Sequence, residues 1–352
     1  MDRRTVDVYE ANSKEWIARR RRPIPASLAP FVRRVPPGVR ADLGCGPGWH
    51  SASLGDPVVA LDAALAMVEH VPEFAPQALR VVGDLERLPF RTGALTGAWA
   101  HRSYMHVPAV HVPMALAELH RAVARDGTVH LQVTFGQQAP KPDDPFAGRH
   151  FSFFTTEQFH EIVERAGFDV LSSGDDGEEW IDVEATRARM LPDTVGPNMR
   201  LLVVGLNPSV YSADAGVGFA RPGNRFWPAA LASGLVSRVL DPVHALRVDG
   251  IGMTNLVRRA TPRADALTRN EYRAGAERLA RLIAWLRPRA ICAVGVTGYR
   301  AAVDRDARLG WQSEPLAGAP VYVMPNTSGL NAHAKPADFV EHLRAAQRPP
   351  TR

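Results

Sequence analysis

Cysteine and lysine are the scarce residues of this chain. Cys45 and Cys292 are the only cysteines in 352 residues, and they stand far apart. That excludes a disulfide framework, a structural zinc motif and a four-cysteine iron–sulfur site as local motifs, and it points to a reducing cytoplasm. Lys14, Lys141 and Lys335 are the only lysines, so nearly all of the positive charge behind a net +5 is arginine. A GC-rich genome produces that bias. Arginine also suits bidentate phosphate contacts, so the charge permits a nucleic-acid partner without requiring one. No window approaches the ~20 continuous apolar residues of a membrane span. The charged opening "MDRRTVDVYEANSKEW" lacks the apolar core of a signal peptide. No membrane partner is expected, and a monomer is.

The chain reads as two α/β domains without an internal repeat. In the first half "VRADLGC", "PVVALD", "LRVVGD", "GAWAHR" and "TVHLQVTF" are short strand candidates separated by turns or helices. That alternation predicts a doubly wound sheet over 1–185. The stretch 186–198, with two prolines and a glycine, reads as a linker. A second α/β domain follows over 199–352. Its expected elements are strands at 199–206, 289–295 and 320–326 and helices at 225–237, 270–286 and 297–305.

Two regions carry chemistry in the first half. "ADLGCGPG" ends a strand in a turn where Gly44, Gly46 and Gly48 let the backbone bend and approach a ligand. The G-x-G-x-G spacing differs from the G-x-G-x-x-G of dinucleotide sites. Downstream, Asp62 ends the second strand, where a carboxylate can accept two ribose hydroxyls or cap the next helix. Asp84 ends the third, where an acid and its neighbouring amide suit an adenine edge. Taken in order with "GAWAHR", these features resemble the class I S-adenosylmethionine-dependent methyltransferases over roughly residues 8–180. The resemblance implies a Rossmann-like sheet with S-adenosylmethionine held by Asp42, Gly44, Gly46, Gly48, Asp62, Asp84, Leu85 and His101. His101 would lie beside the sulfonium; packing is the alternative for His101, Tyr104 and His106. Only "WHSASLGD" separates Gly48 from the next strand, which leaves room for barely two helical turns. A DNA amino-methylation motif is absent, neither cysteine follows a proline, and the methyl acceptor stays open.

In the second half an apolar run ends in Gly205-Leu206-Asn207-Pro208. Proline biases Asn207 away from the helical region, so the strand stops there. A neutral amide orients water well and abstracts protons poorly. Aromatics follow in "GVGFARPGNRFW", suited to stacking on a planar ring, and "NTSGLN" puts an apolar tip on a polar turn. The set "GLNPS…GFARPGNRFW…GMTNLVRRAT…NTSGLN" resembles the mismatch-specific uracil/thymine DNA glycosylases of the uracil-DNA glycosylase superfamily over about 190–345. The resemblance implies a uracil-DNA-glycosylase-like α/β/α sandwich acting on double-stranded DNA with a mismatched or damaged pyrimidine. Asn207 would direct water to the sugar C1′, Phe219 would stack on the base, and Ser212, Asn255 and Asn326 would complete the pocket. Leu330 would be the wedge, Ser328 and Gly329 would hold backbone phosphate, and Arg225, Arg258 and Arg259 are candidate phosphate contacts. Two departures stand out: Ser209 replaces the usual glycine after Asn-Pro, and Asn331-Ala332-His333 replaces a Ser-Arg form.

No lysine lies near these motifs, so monofunctional hydrolysis without Schiff-base chemistry, cofactor or metal is expected. The leading expectation is therefore a glycosylase fused to a methyltransferase. The alternatives are a glycosylase with a non-catalytic S-adenosylmethionine-binding or partner-recruiting module, a nicotinamide-binding first half, and a second half that binds DNA without cutting it.

Overall fold

The computed structural model describes residues 1–20, 23–136, 144–329, 331 and 334–350. It divides into two compact units, Met1–Ala188 and Arg189–Arg352. Among the described residues no helix is long and apolar enough to cross a membrane.

The first unit opens with helices α1 (Arg3–Arg19) and α2 (Leu28–Arg34), then strands β1 (Arg40–Leu43) and β2 (Val58–Asp62). Short helices α3 (Leu65–Val68) and α4 (Val71–Phe74) lead into β3 (Leu79–Val82) and β4 (Leu95–His101). After these come α5 (Val112–Ala122), β5 (Val123–Phe135), β6 (Phe153–Phe154), α6 (Thr156–Arg165), β7 (Phe168–Asp175) and β8 (Trp180–Arg187). The sheet runs β3-β2-β1-β4-β5-β8-β7, with β6 also paired to β5. Strands β1 to β5 are mutually parallel, and β8 is antiparallel to both β5 and β7. All five expected strands are present.

Strands β1, β2 and β4 are almost wholly buried, as a parallel sheet covered on both faces requires. On one side Leu28, Phe31, Leu54 and Val71 pack against Ala60 and Trp99. A second cluster joins Val6 and Trp16 of α1 to Ala64, Met67 and Phe146. Glu10 fixes α1 in place: its carboxylate accepts the Leu65 and Ala66 amides at 2.6 and 2.9 Å. After the glycine turn the chain makes only a 3₁₀ turn, Ser51–Leu54, in keeping with the short segment available.

The second unit contains β9 (Leu201–Gly205), α7 (Val210–Ala215), α8 (Phe226–Ala232), α9 (Pro242–Arg247) and β10 (Ile251–Asn255). It continues with α10 (Arg269–Leu286), β11 (Ile291–Val294), α11 (Val296–Ala302), β12 (Gly310–Trp311), β13 (Val321–Met324) and α12 (Pro336–Ala346). The sheet order is β10-β9-β11-β13-β12, all parallel except β12. The three expected strands are there, and "GIGMTNLV" supplies a fourth, β10. The helix expected over 225–237 stops at Ala232.

Residues 186–198, expected as a linker, are shared between the units. Thr186 and Arg187 belong to β8. Beyond Ala188 the chain packs on the second unit: Thr194 exchanges backbone hydrogen bonds with Met253 at 2.8 Å. Buried Asp193 accepts the Thr254 hydroxyl at 2.6 Å and faces the Arg278 guanidinium at 3.5 Å. A buried ion pair needs further partners to offset its desolvation. Arg278 finds them in the Asn255 and Leu256 carbonyls, and so holds the end of β10.

Candidate active sites

In the first unit a cleft of about 670 Å³, open mouth included, forms where β1, β2 and β4 end. It is lined by Asp42, Gly44, Gly46, Asp62 and His101, five of the eight residues expected there, together with Tyr9, Trp16, Trp49, His50, Arg102, Ser103 and His106. Gly44 has φ +73°, and a Cβ there would lie 2.3 Å from the Ser103 Cβ, so both conformation and space demand glycine. Asp62 accepts the Gly46 and Ala64 amides at 2.9 Å each, which ties the glycine turn to the end of β2. Burial pushes the Asp62 carboxyl up and the Asp42 carboxyl up to about 7, although Ser51 donates to Asp42 at 2.7 Å. The Ser103 hydroxyl is buried and has no hydrogen-bond partner. His101 stacks on Trp99 with ring centres 5.6 Å apart.

Three expected residues lie elsewhere. Gly48 packs against Val71. The Asp84 carboxylate takes the Met1 amino group, at 2.9 and 3.1 Å, and the Glu86 amide. Leu85 is buried in the core. None of the three lines this cavity; after β3 the chain turns back on itself at Asp84–Arg87.

In the second unit a cleft of about 1760 Å³, open mouth included, forms at the ends of β9, β10 and β13. Asn207, Ser212, Phe219, Asn255, Asn326 and Ser328 all border it, so residues up to 121 positions apart in sequence meet here. Asn207 is half-buried just past β9. Its Nδ2 donates to the Thr261 hydroxyl at 2.7 Å and to the Arg259 and Pro208 carbonyls at 3.2 Å. Carbonyls only accept, so the NH₂ end must point at them. Thr261 in turn donates to the Arg263 carbonyl at 2.8 Å, which leaves its oxygen to accept from Asn207. The amide is thus held by its donor end, and Oδ1 is the end left for a ligand. Thr261 reaches this position because its amide bonds the Pro208 carbonyl at 3.1 Å, while the Leu256 and Val257 amides bond Gly205 and Leu206.

Phe219 has φ +57°, a left-handed conformation costly for a bulky residue and one that gathers at functional sites. Its ring stacks on Phe226 at 4.3 Å and also borders the cleft. Gly205 makes room for it: a Cβ there would sit 2.7 Å from Asn255 Oδ1 and 3.3 Å from the Phe219 ring. Ser209 is the N-cap of α7. Its hydroxyl accepts the Ser212 amide and meets the Ser212 hydroxyl, both at 3.1 Å.

Of the expected phosphate contacts Ser328 borders the cleft, whereas the three arginines and Gly329 do not line it. Arg225 turns inward: its guanidinium donates to the Ser328, Asn331 and Ala334 carbonyls and lies 4.7 Å over the Phe339 ring. Arg259 is paired with Glu271 at 2.6 Å, which pulls that carboxyl down to about 2. Arg258 lies beside them, half-buried. Gly329 backs onto Gly223, whose carbonyl would be 2.9 Å from an added Cβ. Leu330 and His333 lie outside the described residues. Arg221, Asn224, Thr261, Arg263 and Asn331 also border the cleft and were not anticipated. Thr261 and Arg221 stand inside or beside the motifs already noted, but only a contact spanning 54 positions gives Thr261 its role.

Comparison with known families matches residues 192–347 to the uracil DNA glycosylase superfamily and residues 41–131 to a methyltransferase domain. Several solved methyltransferases share about half of the chain. The 1,6-didemethyltoxoflavin-N1-methyltransferase of Burkholderia thailandensis is 19% identical, with 52% of this chain and 85% of that one covered and a TM-score of 0.40. A TehB-like S-adenosylmethionine-dependent methyltransferase from Corynebacterium glutamicum is 20% identical, covering 52% and 97%, with a TM-score of 0.39. A putative one from Listeria monocytogenes is 12% identical, covering 46% and 96%, with a TM-score of 0.38. The chain therefore joins a methyltransferase domain in its first unit to a uracil DNA glycosylase superfamily domain in its second.

Proposed function

We propose that the second unit is a monofunctional DNA glycosylase that excises uracil, and pyrimidines such as thymine opposite guanine, from mismatched duplexes. The observation that carries this reading is the amide of Asn207, anchored by its donor end in the lining of a cleft that Phe219 also borders. A flipped base stacks against Phe219 and meets Ser212, Asn255 and Asn326 at its edges. The N1–C1′ bond then breaks with cationic character at the sugar. Asn207 Oδ1 accepts a hydrogen bond from a water and aims its oxygen at C1′, and the base leaves as an anion. Ser328 and Arg221 supply a polar and cationic part of the rim for phosphates, while Arg263 is paired there with Asp265 at 2.9 Å. Release of uracil from a G·U duplex by the wild type, lost in Asn207→Ala, is the test; undiminished release by the variant sinks the assignment.

On the same reading the first unit uses S-adenosylmethionine. Its cavity fits that cofactor: two carboxyls suit a sulfonium, the unpartnered Ser103 hydroxyl awaits a ligand, and the Gly44–Gly46 turn keeps side chains out of the way. Asp62 is suited to the ribose hydroxyls, because each of its oxygens keeps a lone pair after the amide bonds. When bound, the cofactor supplies an electrophilic methyl group. Asp42, Gly44 and Gly46 hold its charged end while His101 and the aromatic side chains exclude water. Calorimetric titration with S-adenosylmethionine and S-adenosylhomocysteine tests this, and absence of binding to either refutes it.

A further inference from the structure

The methyltransferase cavity contains a hydrogen-bonded tyrosine and histidine that cofactor binding alone does not employ. Tyr9 projects from α1, and His106 ends the 3₁₀ turn Tyr104–His106 that follows β4. Both line the cavity. Tyr9 Oη lies 3.0 Å from His106 Nε2, and His106 Nδ1 lies 2.7 Å from the His150 carbonyl oxygen. A carbonyl only accepts, so Nδ1 carries the proton and Nε2 of the neutral ring is an acceptor. Tyr9 therefore donates to His106. The same phenol oxygen accepts from Arg149 Nη1 at 3.1 Å, and Arg149 is anchored by Asp144 at 2.7 Å. With one bond donated and one accepted, Tyr9 Oη keeps a lone pair, and its proton already points at a base.

We infer that Tyr9 and His106 form a proton-accepting pair for methyl transfer, and that the acceptor of this cavity is a neutral ring-borne hydroxyl or N–H group. The inference rests on the methyl-transfer reading of the same site. The acceptor heteroatom forms a bond to the methyl carbon while the S–CH₃ bond breaks, and its electrons stay on sulfur as a neutral thioether. The acceptor's proton passes to Tyr9 Oη, and the Tyr9 proton passes to His106 Nε2. One positive charge disappears at the sulfonium and one forms on the imidazole, so the buried site keeps its net charge and avoids the cost of a new unpaired ion. The substrate class follows from proton matching. A phenol or heteroaromatic N–H exchanges a proton with a tyrosine at little cost, and an imidazole is basic enough to draw it off as the new bond forms. A carboxylate acceptor is already anionic and has no need of the pair.

The test uses the full chain, S-adenosylhomocysteine for binding, and 4-nitrophenol at a pH below its own ionisation in water, where it is a neutral ring hydroxyl whose ionised form is coloured. In wild type with S-adenosylhomocysteine bound, nitrophenol should bind and ionise, and labelled S-adenosylmethionine should methylate it. Tyr9→Phe should bind S-adenosylhomocysteine unchanged, leave bound nitrophenol neutral, and lose methyl transfer by roughly 10²-fold or more. His106→Gln should do the same. Nitrogen-15 NMR should find the His106 proton on Nδ1. Four results overturn the inference: nitrophenol that does not bind, equal ionisation in wild type and Tyr9→Phe, an Nε2–H tautomer, or loss of S-adenosylhomocysteine binding in Tyr9→Phe. If the wild type binds no S-adenosylhomocysteine, the methyl-transfer reading itself falls, a result distinct from the other four.

Discussion

Removing the hydroxyl of Thr261 isolates how the Asn207 amide is held. Thr261→Val keeps the shape of a residue 3% exposed and deletes the 2.7 Å bond from Asn207 together with the 2.8 Å bond to the Arg263 carbonyl, while the two carbonyl contacts of Asn207 at 3.2 Å remain. A bond of this kind contributes about 1–1.5 kcal/mol, so an amide that must be fixed in the transition state should lose about 5- to 13-fold in the rate of base release. Asn207→Ala removes the group itself; a transition-state hydrogen bond of this type costs about 10²–10³-fold. Thr261→Ser retains the hydroxyl and should recover most of the rate. Single-turnover release of uracil from a G·U duplex measures all three, with duplex affinity nearly unchanged because the Thr261 side chain is buried against the asparagine. In the Asn207→Ala background, Thr261→Val should cost almost nothing further, since the two act as a unit. Equal losses in both backgrounds would refute the reasoning.

Three further outcomes follow from the geometry. Burial raises the Asp42 carboxyl to about 7 in the fold against about 3.9 unfolded. The folded state therefore holds the extra proton between these values. The stabilisation from Asp42 is complete below about pH 4 and lost as pH rises to about 7, at most about 4 kcal/mol. Hydrogen exchange of the β1 and β2 amides should slow as pH falls through that window after correction for intrinsic rates, and Asp42→Asn should flatten the trend. Gly44→Ala combines φ +73° with a 2.3 Å clash against Ser103; it should abolish S-adenosylhomocysteine binding in calorimetry, and unchanged affinity would contradict the tight turn. Arg225→Ala strands three loop carbonyls and should cost about 1.5–3 kcal/mol, read as a lower unfolding midpoint for the second unit, with Arg225→Lys only partly restoring it.

The two-unit α/β organisation was legible along the chain, because apolar runs ending in glycine, aspartate or asparagine are how parallel strands deliver polar residues to one edge of a sheet. Gly44, Gly46, Asp62 and Asn207 could each be placed from such local signals. What could not be read locally was the destination of the cations. Arg225, Arg258 and Arg259 sit in motif-bearing stretches and look like phosphate contacts, yet Arg225 serves the carbonyls of a loop more than a hundred positions away and Arg259 serves Glu271. A guanidinium on a long side chain takes whichever acceptors folding brings within reach.

Ser209 illustrates the same division. Its departure from the usual glycine suggests an obstruction in the pocket, whereas in the fold its hydroxyl caps α7 and holds Ser212. Local sequence determined where the strands stop and which polar groups stand at their ends. Which way those groups face, and that Thr261 fixes the amide of Asn207 while His106 accepts from Tyr9, was decided only by tertiary structure. Hydrogen-bond direction depends on partners 54 and 97 residues away, and no local pattern encodes such pairs.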